Sequence, residues 1–351
     1  MASSKLKMNT IDEAKQDLIC NLPAIATEKF LKRLPLIMAA KMSLLSRKWK
    51  ENWLSQRHLV FDSTFWEGRG GQKDYNGIIS SILFYRNGPI HKFRLLVPIS
   101  VSITCIHLSQ WLSFLSKTNV KKIALINFSF EHTSIPSHIF SCKELVKLRL
   151  LCFTLNPPPR DFKGFTNLRS LSLWNIKFKQ SYVLASLNAS CSRLIVLKLE
   201  HCVVLDTVII DVPSLERLVI SGDLECLCLK SIVRLNSISL CLNEYPDSDA
   251  VELNSIRDLA TSCQLQYLHF GGRLCKDLAA SGVTKSLPLS FNYLSKLCLT
   301  EINLGRVDVY HFVIGMVQSC PCIRDLEISV LANTDVFQLE IDCDYRIDSY
   351  K

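Results

Sequence analysis

The pattern LxxLxL, with other aliphatic or aromatic residues standing in for leucine, recurs ten times between residues 90 and 328 of this 351-residue chain. The copies run from Ile90, Phe93, Leu95 through Leu145, Leu148, Leu150 and Leu265, Leu268, Phe270 to Ile323, Leu326, Ile328. Their first positions lie 20 to 30 residues apart, which brackets the period of leucine-rich repeats but is too scattered for a regular array. The expectation is an irregular solenoid. An extra copy, Leu224, Leu227, Leu229, follows the sixth unit closely, so the middle of the body departs from one strand per turn.

The last two apolar positions of each copy are two residues apart. On a strand both point inward, and the residue between them points out. Parallel stacking then sets the outward residues in a row: Arg94, Ala124, Arg149, Ser172, Lys198, Val219, Ser239, His269, Cys298 and Glu327. That row is expected on the strand face, usually the concave side of a curved parallel sheet. Arg149, Ser172, Lys198, Ser239, His269 and Glu327 are its expected contacts to a bound protein. Helical spacing at His107 to Lys117 and at Val309 to Val317 places two connecting helices on the opposite side.

Ahead of the repeats lies a helical head. Pro23 sits where a helix can begin, and Phe30, Leu31 and Leu34 recur at helical spacing until Pro35 stops it. Ile37, Ala40 and Leu44 mark a second helix; Trp49 and Trp53, with Ser46 as N-cap, mark a third. Three helices in so short a stretch enclose little core, so the head is expected to need a partner. Residues 1–57 hold eleven Lys or Arg against five Asp or Glu, which suits nucleic acid, an acidic protein partner or simply the solvated surface of short helices. Without a helix-turn-helix or zinc signature, nucleic acid ranks low.

With 48% hydrophobic and 21% charged residues the composition is that of a globular protein. The polar start, Met1 to Asp12, has no apolar run behind it and no later run spans a bilayer, so neither a signal peptide nor a membrane partner is expected. The fifteen cysteines are odd in number and scattered, which points to a reducing compartment, the cytoplasm or nucleus. Cys320 and Cys322, like Cys226 and Cys228, lack zinc spacing with a second pair. Cys202 stands where leucine-rich repeats often carry Asn or Cys and is expected to satisfy the repeat turn. The glycines Gly68, Gly70 and Gly71 have neither GxGxxG spacing nor a GKS/T ending and read as a loop. No catalytic residue, metal or cofactor is expected.

The segment from Asp17 to Trp53, DLICNLPAIATEKFLKRLPLIMAAKMSLLSRKWKENW, continued by HLVFD at His58 to Asp62, resembles the F-box of plant F-box/FBD/LRR proteins. The resemblance implies that the head docks on a Skp-family adaptor, and through it on a cullin. It assigns that contact to Leu22, Pro23, Phe30, Leu31, Leu34, Pro35, Ala40, Leu44, Leu45 and Trp49. Ala24, Ala26, Thr27 and Met38 stand where that family usually has other residues. The implied role is that of a non-catalytic substrate-recognition subunit of a ubiquitin ligase, with an unknown protein substrate on the repeats. A repeat scaffold whose divergent F-box is not coupled to ubiquitylation is the alternative.

The expected fold class is α/β: a small N-terminal three-helix F-box at 11–57, then an irregular leucine-rich-repeat solenoid at 90–330. A linker with the first helical connection fills 58–89, and a short acidic tail, 331–351, closes the chain.

Overall fold

The structure is a computed structural model that describes residues 22–67, 74–129, 131–180, 182–184, 191–203, 207–243, 252–253, 259, 264–282 and 290–331. Residues 11–21 of the head, the glycine loop and the tail from 332 onward lie outside the described residues.

Both head prolines act as helix starts. Pro23 caps α1 (Ala24–Leu31) and Pro35 caps α2 (Leu36–Met42). A ring-locked φ and a missing N–H suit that position and forbid continuation of the preceding helix. The third helix, α3 (Arg47–Leu54), has the expected cap: Ser46 Oγ accepts a hydrogen bond from the Trp49 N–H at 3.4 Å. Leu44 falls in the turn after α2 rather than on it.

Next come β1 (His58–Phe61), α4 (Ser63–Trp66) and α5 (Tyr75–Phe84). The repeats continue with β2 (Lys92–Val97), α6 (Cys105–Ser116), β3 (Lys122–Asn127), β4 (Thr133–Ser134), β5 (Lys147–Leu151) and β6 (Phe153–Leu155). Then follow β7 (Ser170–Trp174), β8 (Lys177–Phe178), β9 (Val196–Glu200), β10 (Thr207–Asp211), β11 (Arg217–Gly222) and β12 (Cys226–Lys230). The last elements are β13 (Ser237–Leu242), β14 (Glu252–Leu253), β15 (Tyr267–Gly271), α7 (Gly272–Ala280), β16 (Lys296–Ile302), α8 (Val307–Gln318) and β17 (Asp325–Val330).

Eleven strands form one parallel sheet in the order β1-β2-β3-β5-β7-β9-β11-β13-β15-β16-β17. Ten are the repeat strands; the eleventh, β1, lies in the segment expected to be linker. The even-numbered strands other than β2 and β16 form two smaller parallel sheets, β4-β6-β8 and β10-β12-β14. The extra repeat copy is thereby explained: Leu227 and Leu229 belong to β12, which pairs with β10 instead of joining the main sheet.

Inward residues such as Phe93, Leu125, Leu150, Leu173, Leu197, Leu218, Leu240, Leu268 and Leu297 are fully buried. A buried aliphatic or aromatic side chain contributes about 1.5–3 kcal/mol, and the repetition of that contribution holds the stack together. Where a strand ends, the chain turns through a left-handed residue, as at Cys152, Asn175 and His201. Cys202 follows such a turn, buried, its Sγ 3.5 Å from the Leu173 carbonyl oxygen that accepts its hydrogen bond.

The head does not wait for a partner to complete its core. Leu31, Ala39, Trp49 and Trp53 are buried in the same hydrophobic cluster as Leu59 and Phe61 of β1. Polar contacts pin this joint. Gln56 Nε2 donates to the Leu31 carbonyl at 3.1 Å, and the Asn87 N–H donates to that of Leu54 at 3.1 Å. The Arg86 guanidinium lies 4.1 Å from the Trp53 ring centroid and donates to the Trp53 carbonyl. Burial pushes the Arg86 pKa down to about 10, so it still carries its charge at neutral pH.

Candidate functional site

Two surfaces correspond to the two sets of residues picked from the sequence. The first is on the head. Leu31 and Trp49 are each 1% exposed, so they hold the three helices together and offer nothing to a docking protein; their assignment as contacts is corrected to one of support. Leu22, Leu34 and Ala40 are half-buried, while Pro23 and Pro35 are exposed at helix starts. The apolar side chains left open are Leu44, 85% exposed, with Phe30 and Leu45. Phe30 rests edge-on against Trp49, ring centroids 6.0 Å apart, so its outer half is presented on a fixed base. Ile25, 71% exposed, and Met38 are open as well, and sequence reasoning missed both. Their signal was available: each is an apolar residue off the buried stripe of its helix.

Thr27 is buried, and its Oγ1 donates to the Pro23 carbonyl at 3.2 Å. This departure from the pattern that the head resembles therefore sits inside the head, whereas the Met38 departure is on its surface.

The second surface is the outer face of the eleven-stranded sheet. Strand pairing sets Arg94, Ala124, Arg149, Ser172, Lys198, Val219, Ser239, His269, Cys298 and Glu327 opposite one another in unbroken register. The row expected from the repeats is a physical line of neighbours. All of it is half-buried or exposed except Cys298, which is buried.

Parallel rows flank this line. Toward the strand starts, His58, Lys92, Lys122 and Lys147 are in register, although like charges directly opposite one another are unfavourable. Burial, and then Lys32, Lys92, His91 and Lys122 around it, hold the His58 pKa below the ordinary value. Toward the strand ends, Leu96, Ile126 and Leu151 form a small apolar cluster of their own with Cys152, against which Trp66, Phe128 and Trp174 pack.

Farther along, the face changes character. His269 bridges three strands: Nδ1 lies 2.9 Å from Ser239 Oγ and Nε2 lies 2.9 Å from Thr300 Oγ1. Cys241 Sγ is 3.5 Å from Nε2. Burial pushes the His269 pKa down, against a smaller upward pull from Glu327, so the imidazole is neutral at neutral pH. Lys296 Nζ is 2.8 Å from Asp325 and 3.5 Å from Glu327.

This cluster joins a histidine to hydroxyls and a thiol, but on an open sheet face. Cys298 has its pKa raised to about 11, chiefly by burial, and a thiol so poorly ionised is a weak nucleophile. Burial likewise pushes Cys142, Cys202 and Cys275 up to about 12. Among the described residues no group of three or more His, Cys, Asp or Glu is placed to hold a metal ion.

With fold and surfaces described, comparison with known proteins becomes informative. The family model "FBD-associated F-box protein At5g56370, LRR repeats" matches residues 108–252. The F-box/FBD/LRR-repeat protein At1g13570 of Arabidopsis thaliana is 27% identical over 327 residues, covering 89% of this chain and 76% of that protein. Putative F-box/FBD/LRR-repeat protein At3g49030, also of Arabidopsis thaliana, is 23% identical over 352 residues, covering 93% of this chain and 76% of its own length. F-box/FBD/LRR-repeat protein At2g04230 of the same plant is 28% identical over 219 residues, 60% of this chain and 48% of that protein. Residues 108–252 of the repeat body match the leucine-rich-repeat region of the FBD-associated F-box family, and over most of its length the chain is similar to plant F-box/FBD/LRR-repeat proteins.

Proposed function

We propose that this chain is the substrate-recognition subunit of a Skp-cullin-F-box ubiquitin ligase. In this reading the head docks a Skp-family adaptor, and through it a cullin, while the outer face of the repeat sheet holds a protein target. The observation that carries it is the exposed apolar set on the head, Phe30, Leu44 and Leu45 with Ile25 and Met38, on helices whose own core is already complete. Apolar side chains that the fold does not use, grouped on one small element, mark a surface that a partner covers.

The proposed mechanism is positional. Adaptor and cullin hold the charged conjugating enzyme, the repeats hold the target, and the rigid chain between them raises the effective concentration of a target lysine near the thioester. No group of this chain takes part in bond making. The buried, poorly ionised thiols and the neutral, fully engaged His269 fit that role.

Co-expression with Skp-family adaptors tests it. The intact chain is expected to be retained on a tagged adaptor, and the Leu44→Asp/Ile25→Asp variant to be lost. Both substitutions fall on exposed residues, so the variant should keep the melting temperature of the intact chain. Failure of the well-folded intact chain to bind a panel of adaptors would favour the uncoupled repeat scaffold.

A further inference from the structure

The first five strands of the main sheet, β1, β2, β3, β5 and β7, contain no Asp or Glu. Their outward positions instead carry His58, Lys92, Arg94, Lys122, Lys147 and Arg149. Among the described residues Lys122, Lys147 and Arg149 make no ion pair. Two N–H donors beside them are buried with no acceptor: Arg94 Nε in the middle row and Trp66 Nε1 at the apolar cluster.

The apolar cluster lies two residues farther along the same strands than the arginines, about 6.6 Å away at the rise of a parallel strand. Leu96, Ile126 and Leu151 are buried there, and the half-buried Trp66, Phe128 and Trp174 packed against them form a second stripe beside the cationic rows. A ligand that matches both stripes must present carboxylates along one edge and large apolar side chains along the other.

We infer that this half of the outer face binds an acidic segment of a partner protein, one that carries bulky apolar residues alongside its Asp or Glu side chains. The carboxylates meet Lys122, Lys147, Arg94 and Arg149, and the apolar side chains lie on Trp174 and Trp66. Charge complementarity favours this partner over a neutral or basic one. The proposed role of the repeats, holding a protein target, favours it over a nucleic acid, which also uses cationic grooves with aromatic side chains and is set against the peptide in the test. The inference rests on the proposed role of the repeats and names the chemistry of their target.

Short random peptides displayed on phage and selected on the intact chain test it. Enriched sequences are expected to be net negative and to contain Leu, Phe or Trp. Their binding, read by fluorescence anisotropy, should weaken with salt and fall roughly tenfold or more on Lys122→Glu/Lys147→Glu/Arg149→Glu. It should also fall on Trp174→Ala, and stay unchanged on the exposed control Lys177→Glu/Lys230→Glu. No enrichment, enrichment of neutral or basic peptides, an equal loss in the control, or tighter binding of a single-stranded oligonucleotide than of any peptide would overturn it. Adaptor pull-down on the same proteins separates the two readings. Peptide loss with adaptor retained is the expected result for the charge-reversed variant. Acidic-peptide binding by an intact chain that ignores every adaptor would overturn the ligase reading alone.

Discussion

The two ends of the main sheet share one backbone plan and treat their outward residues in opposite ways. In the first half, cations are stacked on cations and two N–H donors have no acceptor. In the second half, His269 has a partner at each ring nitrogen and Lys296 has two carboxylates. Inward residues are buried alike from β2 to β16, and only on the edge strand β17 are the matching Leu326 and Ile328 exposed. The repeat fixes the stack and leaves the outer positions to be chosen for something else, so a region whose outer groups satisfy one another is closed, and a region whose groups do not is open to a partner.

The largest effects should ignore this contrast. Leu150→Ala in the first half and Leu268→Ala in the second remove side chains buried alike. Each should lower the unfolding free energy in chemical denaturation by about 2–5 kcal/mol. A difference as large as the effect itself would mean that the halves are not equivalent structural units.

Smaller effects should separate them. Ser239→Ala removes the hydroxyl beside His269 Nδ1 and should be destabilising by about 1 kcal/mol; Ser172→Ala, at the matching row position in the first half, should be close to neutral. The same cluster sets a pH response. Because burial lowers the folded-state pKa of His269, the unfolded chain takes up a proton below about pH 6.5 that the folded chain resists. Its contribution to stability is therefore present above that pH and is lost as pH falls through the folded-state value. Melting temperatures between neutral and mildly acidic pH should fall less steeply for His269→Gln than for the intact chain; parallel curves would break the argument.

The smallest predicted effect is one of sign. Lys122→Gln relieves like charges across adjacent strands and should be neutral or stabilising by a few tenths of a kcal/mol. Lys296→Gln removes the partner of Asp325 and Glu327 and should be slightly destabilising. Thermal melts at low and high salt would show both differences shrinking as salt rises.

The repeat body was legible because its inward positions recur with a spacing that only stacked strands explain, and that spacing also gave the outward row in register. The helices Cys105–Ser116 and Val307–Gln318 were legible from their apolar stripes. The two minor sheets were not, since strands such as Thr133–Ser134 and Lys177–Phe178 are too short to show alternation. β1 was seen only as a continuation of the head, because HLVF lacks the upstream half of the repeat. Sorting the head residues required three dimensions: Leu31 and Trp49 look like docking residues until the packing of the helices against one another buries them. The apolar stripe on the outer face had a signal that went unused. The pairs Leu95-Leu96, Leu125-Ile126 and Leu150-Leu151 break the in-out alternation at the same register position of β2, β3 and β5.

The shared core of head and sheet has a consequence for distance. A head hung on a slack connection would let a bound target sweep a volume; a head locked to β1 turns the sheet into a ruler. Neighbouring strands are about 4.8 Å apart, so each repeat adds one graduation, and a segment seated across β2 to β7 is held within roughly 20 Å of the first strand. Under the proposed role, moving the same docking residues three strands down the stack would shift which lysines of a target come within reach, with no change in how tightly it is held.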